Sequence, residues 1–147
     1  MTGRFRRYRV DTMALRMIVN PNAGKKRGAL AAEQAASLLR AAGTEVEMVV
    51  TEEAGHAVTL AAQIDSSEVE GVIAVGGDGT LFEVVNGLFQ RDESVLPPVG
   101  QIPVGTGNSF IKDLGIESIE DAVEKIVNGN LRRVDLGKFS CSDGTYF

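Results

Sequence analysis

The junction where the apolar run Gly71-Val-Ile-Ala-Val75 passes directly into Gly76-Gly77-Asp78-Gly79-Thr80 constrains the fold more than any other stretch. The run is too short for a buried helix and lacks the polar alternation of a half-exposed strand. It therefore predicts a strand covered on both faces, the setting of a parallel sheet between helices. The rest of the chain alternates to match. Residues 14–19 read as a first strand stopped by Asn20-Pro21. A helix follows from about Gly28, with Leu30, Ala35, Leu38, Leu39 and Ala42 on one face and Gly43 ending it. Residues 45–50 form a second strand and 55–64 an alanine-rich helix. Past the glycine junction, Leu81, Val84, Val85 and Leu88 make a helical stripe. Pro97-Pro98 precedes a fourth strand over 99–102, and Gly105-Thr106-Gly107-Asn108 makes a second glycine loop. Ser118 caps a helix bearing Ile119, Ala122, Val123, Ile126 and Val127, which Gly129 ends. Residues 131–139 read as a further strand, and Tyr146-Phe147 lie in another.

Strands and helices alternating over short connections predict right-handed βαβ units. The result is an α/β fold of three layers, a parallel sheet with helices on both faces. Ligands in such sheets bind at the carboxyl ends of the strands. Each unusual loop sits there: 20–28 after the first strand, Thr51 after the second, 76–80 after the third, 103–108 after the fourth.

Composition narrows the classes. A chain of 147 residues supports one modest domain. With 44% hydrophobic and 24% charged residues, composition disfavours the disordered, collagen-like and coiled-coil classes. No apolar run approaches the roughly 18 residues of a membrane span, and the start has no secretory apolar core, so the cytoplasm is the default location. One cysteine and one histidine allow neither an internal disulfide nor a Cys/His metal cluster. Acidic side chains outnumber basic ones by 20 to 15, against a nucleic-acid binder. Yet Arg4, Arg6, Arg7, Arg9 and Arg16 crowd the start with Asp11 as their one acid. Residues 1–13 read as a disordered basic tail, with Met13 an alternative start and an anionic membrane surface an alternative partner.

The loops carry the chemistry. Glycines let the backbone come close to a ligand, and the amides opening the next helix favour an anion such as phosphate. Asp78 stands oddly in that setting, because a carboxylate beside phosphate is repulsive unless a cation bridges them. It reads either as a ligand of Mg²⁺, direct or through water, or as a base on an attacking hydroxyl. A tight turn with an Asp cap is the plainer alternative. The loop is not a Walker A motif, since Gly77-Asp78 stands where Lys-Ser/Thr is needed. It is not a Gly-x-Gly-x-x-Gly fingerprint either, with Phe82 and Phe110 at the third positions. Lys25 and Lys26 at a helix entrance call for a facing anion or plain solvation. Glu83 orients a ligand hydroxyl or water, or lies with Asn86 and Gln90 on a solvated face. His56 reads as a structural hydrogen-bonding residue, and Cys141 as an inert strand residue.

Four elements occur in one order: Asn20-Pro21-x-Ala23-Gly24; Thr51-Glu52-x3-His56-Ala57; Gly76-Gly77-Asp78-Gly79-Thr80 with Glu83-Val-Val-Asn86-Gly87; and Pro103-x-Gly105-Thr106-Gly107-Asn108. Together they resemble the catalytic domain of the diacylglycerol kinase family, which includes sphingosine kinases and bacterial lipid kinases. The likeness runs from about Leu15 to Gly137. The aspartate loop alone is shared with NAD kinases; the Asn-Pro and Gly-Thr-Gly-Asn elements narrow it.

The resemblance implies a Rossmann-like nucleotide-binding domain of the NAD kinase/diacylglycerol kinase type, over residues 14–137. It would present ATP and Mg²⁺ to a lipid alcohol at a membrane surface, on the cytoplasmic side of the inner membrane. By matching positions, Asn20 and Thr51 touch the nucleotide. Gly76, Gly77, Gly79 and Thr80 cradle its phosphates with help from Lys25 or Lys26. Glu83 holds the ribose or a water, and Gly105, Thr106, Gly107 and Asn108 line the cleft. Asp78 matches the aspartate regarded as the base in sphingosine kinases; in bacterial diacylglycerol kinases an acid of the second domain has that role. This chain departs from the family at Ser109, where an Asp is usual. Residues 138–147 read as the start of a β-rich lipid-binding domain that is otherwise missing. The isolated domain is then expected to bind nucleotide but phosphorylate little lipid, and its uncovered apolar surface to favour homo-oligomers. An NAD kinase and a non-catalytic nucleotide-binding module are the rival readings.

Overall fold

The computed structural model describes residues 13–91, 95–105 and 107–147. The basic tail before Met13 and the site residue Thr106 lie outside them. The element order is β1 (Ala14–Val19), α1 (Ala23–Lys26), α2 (Gly28–Ala41), β2 (Val46–Val50), α3 (His56–Ala62), β3 (Val69–Gly76), α4 (Asp78–Leu88), β4 (Val99–Pro103), α5 (Ser109–Asp113), α6 (Ile119–Val127), β5 (Phe139–Cys141) and β6 (Gly144–Tyr146). The first four strands form one parallel sheet in the order β2-β1-β3-β4. β5 and β6 form a separate antiparallel hairpin.

Side-chain alternation on the two central strands divides the core. Met17 pairs with Ile73 and Val19 with Val75, and these four face α2 and α6. Ile18 pairs with Ala74, and with Val72 they face Ala57 and Ala61 of α3 and Val84 and Leu88 of α4. Both faces of β3 are thus dry, as its unbroken apolar run requires. The order 2-1-3-4 makes β1 the switch point. The chain leaves it toward β2 on one side and returns as β3 on the other, so the loops after β1 and β3 diverge and leave a crevice between them.

The packing departs from the sequence reading in three places. The buried face of α2 is Gly28, Ala31, Ala32, Ala35, Ala36 and Leu39, while Leu30 is 72% exposed and Leu38 37% exposed. Small residues win where α2 starts hard against the chain leaving β1: a Cβ on Gly28 would sit 1.8 Å from the Asn20 carbonyl oxygen. Second, residues 130–138 form no strand and are exposed; only the hairpin residues pair. Among the described residues no strand pairs with them, and β propensity alone does not make a ladder. Third, the short helix α5 went unread in the sequence, since five residues carry no helical period. The cap at Ser118 is as expected, its hydroxyl accepting from the Asp121 N–H at 3.0 Å.

Helices α3 and α4 touch most closely at Gly87, where an added Cβ would lie 2.3 Å from the Val58 carbonyl oxygen and 2.7 Å from Ala61 Cβ. Gly87→Ala is therefore expected to destabilise the protein by about 1–3 kcal/mol through overpacking, despite alanine's better helix propensity. Chemical denaturation of the two proteins measures the sign and size.

Candidate functional site

The crevice at the switch point is a cavity of about 600 Å³ lined by residues from every loop at the carboxyl edge. Asn20, Asn22, Ala23 and Gly24 come from the β1 loop; Thr51, Glu53, Ala54 and Ala57 from β2 and the start of α3. Gly77, Gly79, Thr80 and Glu83 come from the β3 loop and α4, and Val104, Gly105 and Gly107 from the β4 loop. Of the residues singled out in the sequence, Asn20, Thr51, Gly77, Gly79, Thr80, Glu83, Gly105 and Gly107 are brought together here.

Asn20 ties the two central loops. Its N–H extends the β1–β3 ladder to the Val75 carbonyl (3.0 Å), its Oδ1 accepts from the Asn22 N–H (3.0 Å), and its Nδ2 donates to Thr80 Oγ1 (3.3 Å). The first of these carries the ladder to the lip of the cavity; the second is an Asx turn that bends the chain away. Thr51, buried, donates its N–H to the Val19 carbonyl at 2.8 Å. Glu83, one turn into α4, accepts from the Gly55 N–H at 3.1 Å and so fastens the β2–α3 loop to the helix. His56 accepts from the Glu52 N–H at its Nδ1 (3.0 Å), the structural role expected of it.

Gly76 and Asp78 lie beneath the lining rather than in it. Gly76 is buried, with Thr80 packed where its Cβ would be. Asp78 Oδ2 accepts from the Ser109 N–H at 3.0 Å, stitching the two glycine loops together, and its Oδ1 is buried with no partner. Asn108, 2% exposed, donates to the Gly105 carbonyl (3.0 Å) and also has a buried, unpartnered Oδ1. It lines a neighbouring cavity of about 350 Å³ instead, which shares Val104 and Gly105 with the first.

Lys25 and Lys26 are exposed and do not line the cavity. The cause is local. Gly24, Lys25 and Lys26 take φ values of 57°, 61° and 66°, a left-handed turn that carries the lysines out of the lining. Left-handed backbone costs a residue with a Cβ roughly 1–2 kcal/mol. Gly24 itself has no alternative, because a Cβ there would meet Val104 at 2.7 Å and the Gly105 N at 2.8 Å. Asn22, Glu53, Ala54 and Val104 also line the cavity without having been singled out. Their only signal was position, each lying one to four residues past a strand's carboxyl end.

Residues 14–139 match the diacylglycerol kinase catalytic domain, and the chain belongs to that family. The diacylglycerol kinase of Bacillus subtilis is 39% identical over 134 residues, covering 90% of this chain and 43% of that protein. That of Staphylococcus saprophyticus is 37% identical over 126 residues, covering 85% and 41%. Sphingosine kinase 1 of Arabidopsis thaliana is 33% identical over 142 residues, covering 90% and 29%. Among solved structures, a diacylglycerol kinase from Bacillus anthracis superposes with a TM-score of 0.68 at 31% identity, over 82% of this chain and 43% of that one. The chain thus spans less than half the length of these relatives. Among the described residues, no helix is long and apolar enough to cross a membrane.

The strained turn makes a prediction of opposite signs. Lys25→Gly and Lys26→Gly are each expected to raise stability by about 1 kcal/mol, since glycine meets no Cβ penalty at positive φ. Gly24→Ala is expected to lower it. Thermal unfolding of the three variants checks the pattern.

Proposed function

We propose that this chain is the nucleotide-binding part of a lipid kinase that transfers the terminal phosphate of ATP to a lipid hydroxyl, of diacylglycerol or sphingoid type. The observation that carries this reading is the glycine rim of the cavity. Gly77, Gly79, Gly105 and Gly107 line it, and a Cβ on Gly79 or Gly107 would meet nothing within 4 Å. Backbone there is open to a ligand. The first bond of the α4 ladder runs from the Leu81 N–H to the Gly77 carbonyl. The amides of Gly79 and Thr80 therefore precede the ladder, at the positive end of an 11-residue helix. A polyphosphate fits that setting. Ala23, Ala54, Ala57 and Val104 supply an apolar wall for the base, and Glu83 and Asn20 supply polar groups for the sugar.

The donor set also suits a hard cation. Asp78 Oδ1 and Asn108 Oδ1 are both oxygens, buried and unpartnered. Among the described residues no group of three His, Cys, Asp or Glu gathers to hold a metal. One carboxylate completed by substrate phosphates and water is the usual arrangement for Mg²⁺. Bound there, Mg²⁺ would supply charge neutralisation on the phosphate oxygens. The residues of this chain then position rather than react: the glycine amides orient the phosphates, and Asn20 and Thr80 keep the loops in register. With Oδ2 given to Ser109 and Oδ1 buried, Asp78 is better placed to hold a cation than to take a proton from a lipid hydroxyl. Lys25 and Lys26 would assist the phosphates on unwinding of their turn.

We assign the acceptor half of the reaction to a second, β-rich domain beginning at about residue 138, a reading that the greater length of the relatives supports. This chain alone would then bind Mg-ATP without phosphorylating lipid, and work at the cytoplasmic face of a membrane. The exposed Leu131, Val134, Leu136 and Phe139 support self-association of the isolated chain.

Calorimetry tests the reading. Wild type is expected to bind Mg-ATP, and Asp78→Asn to bind it about tenfold or more weakly, about 1.4 kcal/mol. Chelating magnesium should bring wild type down to the variant and leave the variant unchanged. No binding by wild type would end the kinase reading, and turnover of diacylglycerol by this chain alone would end the two-domain assignment.

A further inference from the structure

Asn86 lies on α4 away from the cavity, is 7% exposed, and belongs to none of the chemistry above. Its carboxamide is nonetheless fully engaged. Nδ2 donates to the Phe82 carbonyl (2.8 Å) and to the Phe147 carbonyl (3.1 Å), and Oδ1 accepts from the Phe147 N–H (2.9 Å). An Asn side chain offers two donors and an acceptor with two lone pairs, so both donors are used and the acceptor is occupied. The Phe147 N–H can only meet an oxygen, which fixes the orientation of the amide.

Two of these bonds reach across 61 residues to one residue and take both its backbone N–H and its backbone C=O. That is the pairing a neighbouring β-strand gives. A single side chain on a helix therefore stands in for the next strand, at the residue that follows β6. Aromatic rings complete the seat. Phe89, one turn on, stacks against Phe147 with centroids 4.1 Å apart and 13° between planes. Phe82 stacks against Tyr146 at 6.2 Å, and Tyr146 against Phe139 at 5.4 Å. Breaking a buried carboxamide from its partners leaves polar groups unsatisfied, whereas the ring contacts survive small shifts. The carboxamide sets the register; the rings add area.

We infer that Asn86 is a positioning residue: it fixes the β5–β6 hairpin, and the chain continuing from it, onto the same helix whose first turn carries Asp78. The hairpin and the glycine loop then move as one body. This deepens the proposed lipid kinase reading and rests on it, because it is acceptor placement relative to the phosphates that such a strut would govern. The contacts are to backbone, so they hold whatever side chain occupies position 147.

Two measurements test it. On this chain, hydrogen exchange at the Phe147 amide is compared in wild type, Asn86→Leu and Phe147→Leu. The first variant has nearly the same volume and no polar groups; the second keeps the N–H and carbonyl but loses the ring. Asn86→Leu is expected to speed exchange at Phe147 about tenfold or more with β1 and β3 amides unchanged, and Phe147→Leu to retain most of the protection. Protection that survives in Asn86→Leu, or vanishes in Phe147→Leu, overturns the carboxamide clamp. In the longest product of the gene, phosphorylation of diacylglycerol in mixed micelles is expected to lose about tenfold in kcat in Asn86→Leu, with the KM for Mg-ATP within about twofold of wild type. An unchanged kcat overturns the positioning role. If the wild-type product phosphorylates no lipid alcohol, the kinase reading and the positioning role fall together, while exchange at Phe147 still decides the docking.

Discussion

The structure depends on close approach to glycine backbone at the carboxyl edge of the sheet. Gly24 lies against Val104 and Gly105, Gly28 against the carbonyl of Asn20, and Gly76 under Thr80, each at a separation that leaves no room for a Cβ. Three loops from three strands can close on one cavity only because these positions carry no side chain. The hydrogen bonds of Asn20 and Asp78 then lock the loops at that distance. A site made of amides at fixed positions is preorganised: its dipoles need no rearrangement when a charged ligand arrives.

The placement of Asp78 shows what the glycine loops achieve. A carboxylate at the entrance of a helix is favoured by the dipole, and here it also accepts from the Ser109 amide at the start of α5. One side chain thereby holds the β3 loop to the β4 loop while keeping its other oxygen unused. The backbone amide of Ser109 does the stitching, a contact that does not depend on which side chain stands there.

Much of this was legible in the sequence, and the exceptions have physical reasons. The dry strand over residues 71–75, the four parallel strands, the glycine loops and the rim on which they gather all follow from period and turn chemistry. What did not follow were contacts between distant residues. Leu30 and Leu38 have the right spacing for a core face, but α2 packs on its alanines, with Gly28 hard against the loop that leaves β1. Residues 131–138 have strand-like composition, but no strand pairs with them among the described residues. Lys25 and Lys26 have the right charge for phosphate, yet their backbone turns left-handed, which no spacing rule foretells. Asn86 reads as one residue of a polar helix face, because its partner lies 61 positions away.

Helix α4 bears the glycine loop at one end and the hairpin contacts near the other. Its 11 residues make a rod about 16 Å long. Such a rod is a lever: a tilt of about ten degrees at one end sweeps the other through about 3 Å. The tight crossing of α3 over Gly87 sits near the far end and leaves little freedom for rolling there. Any rocking that a ligand provokes in the first turn would thus be felt at Asn86 and Phe89 as displacement rather than as looseness.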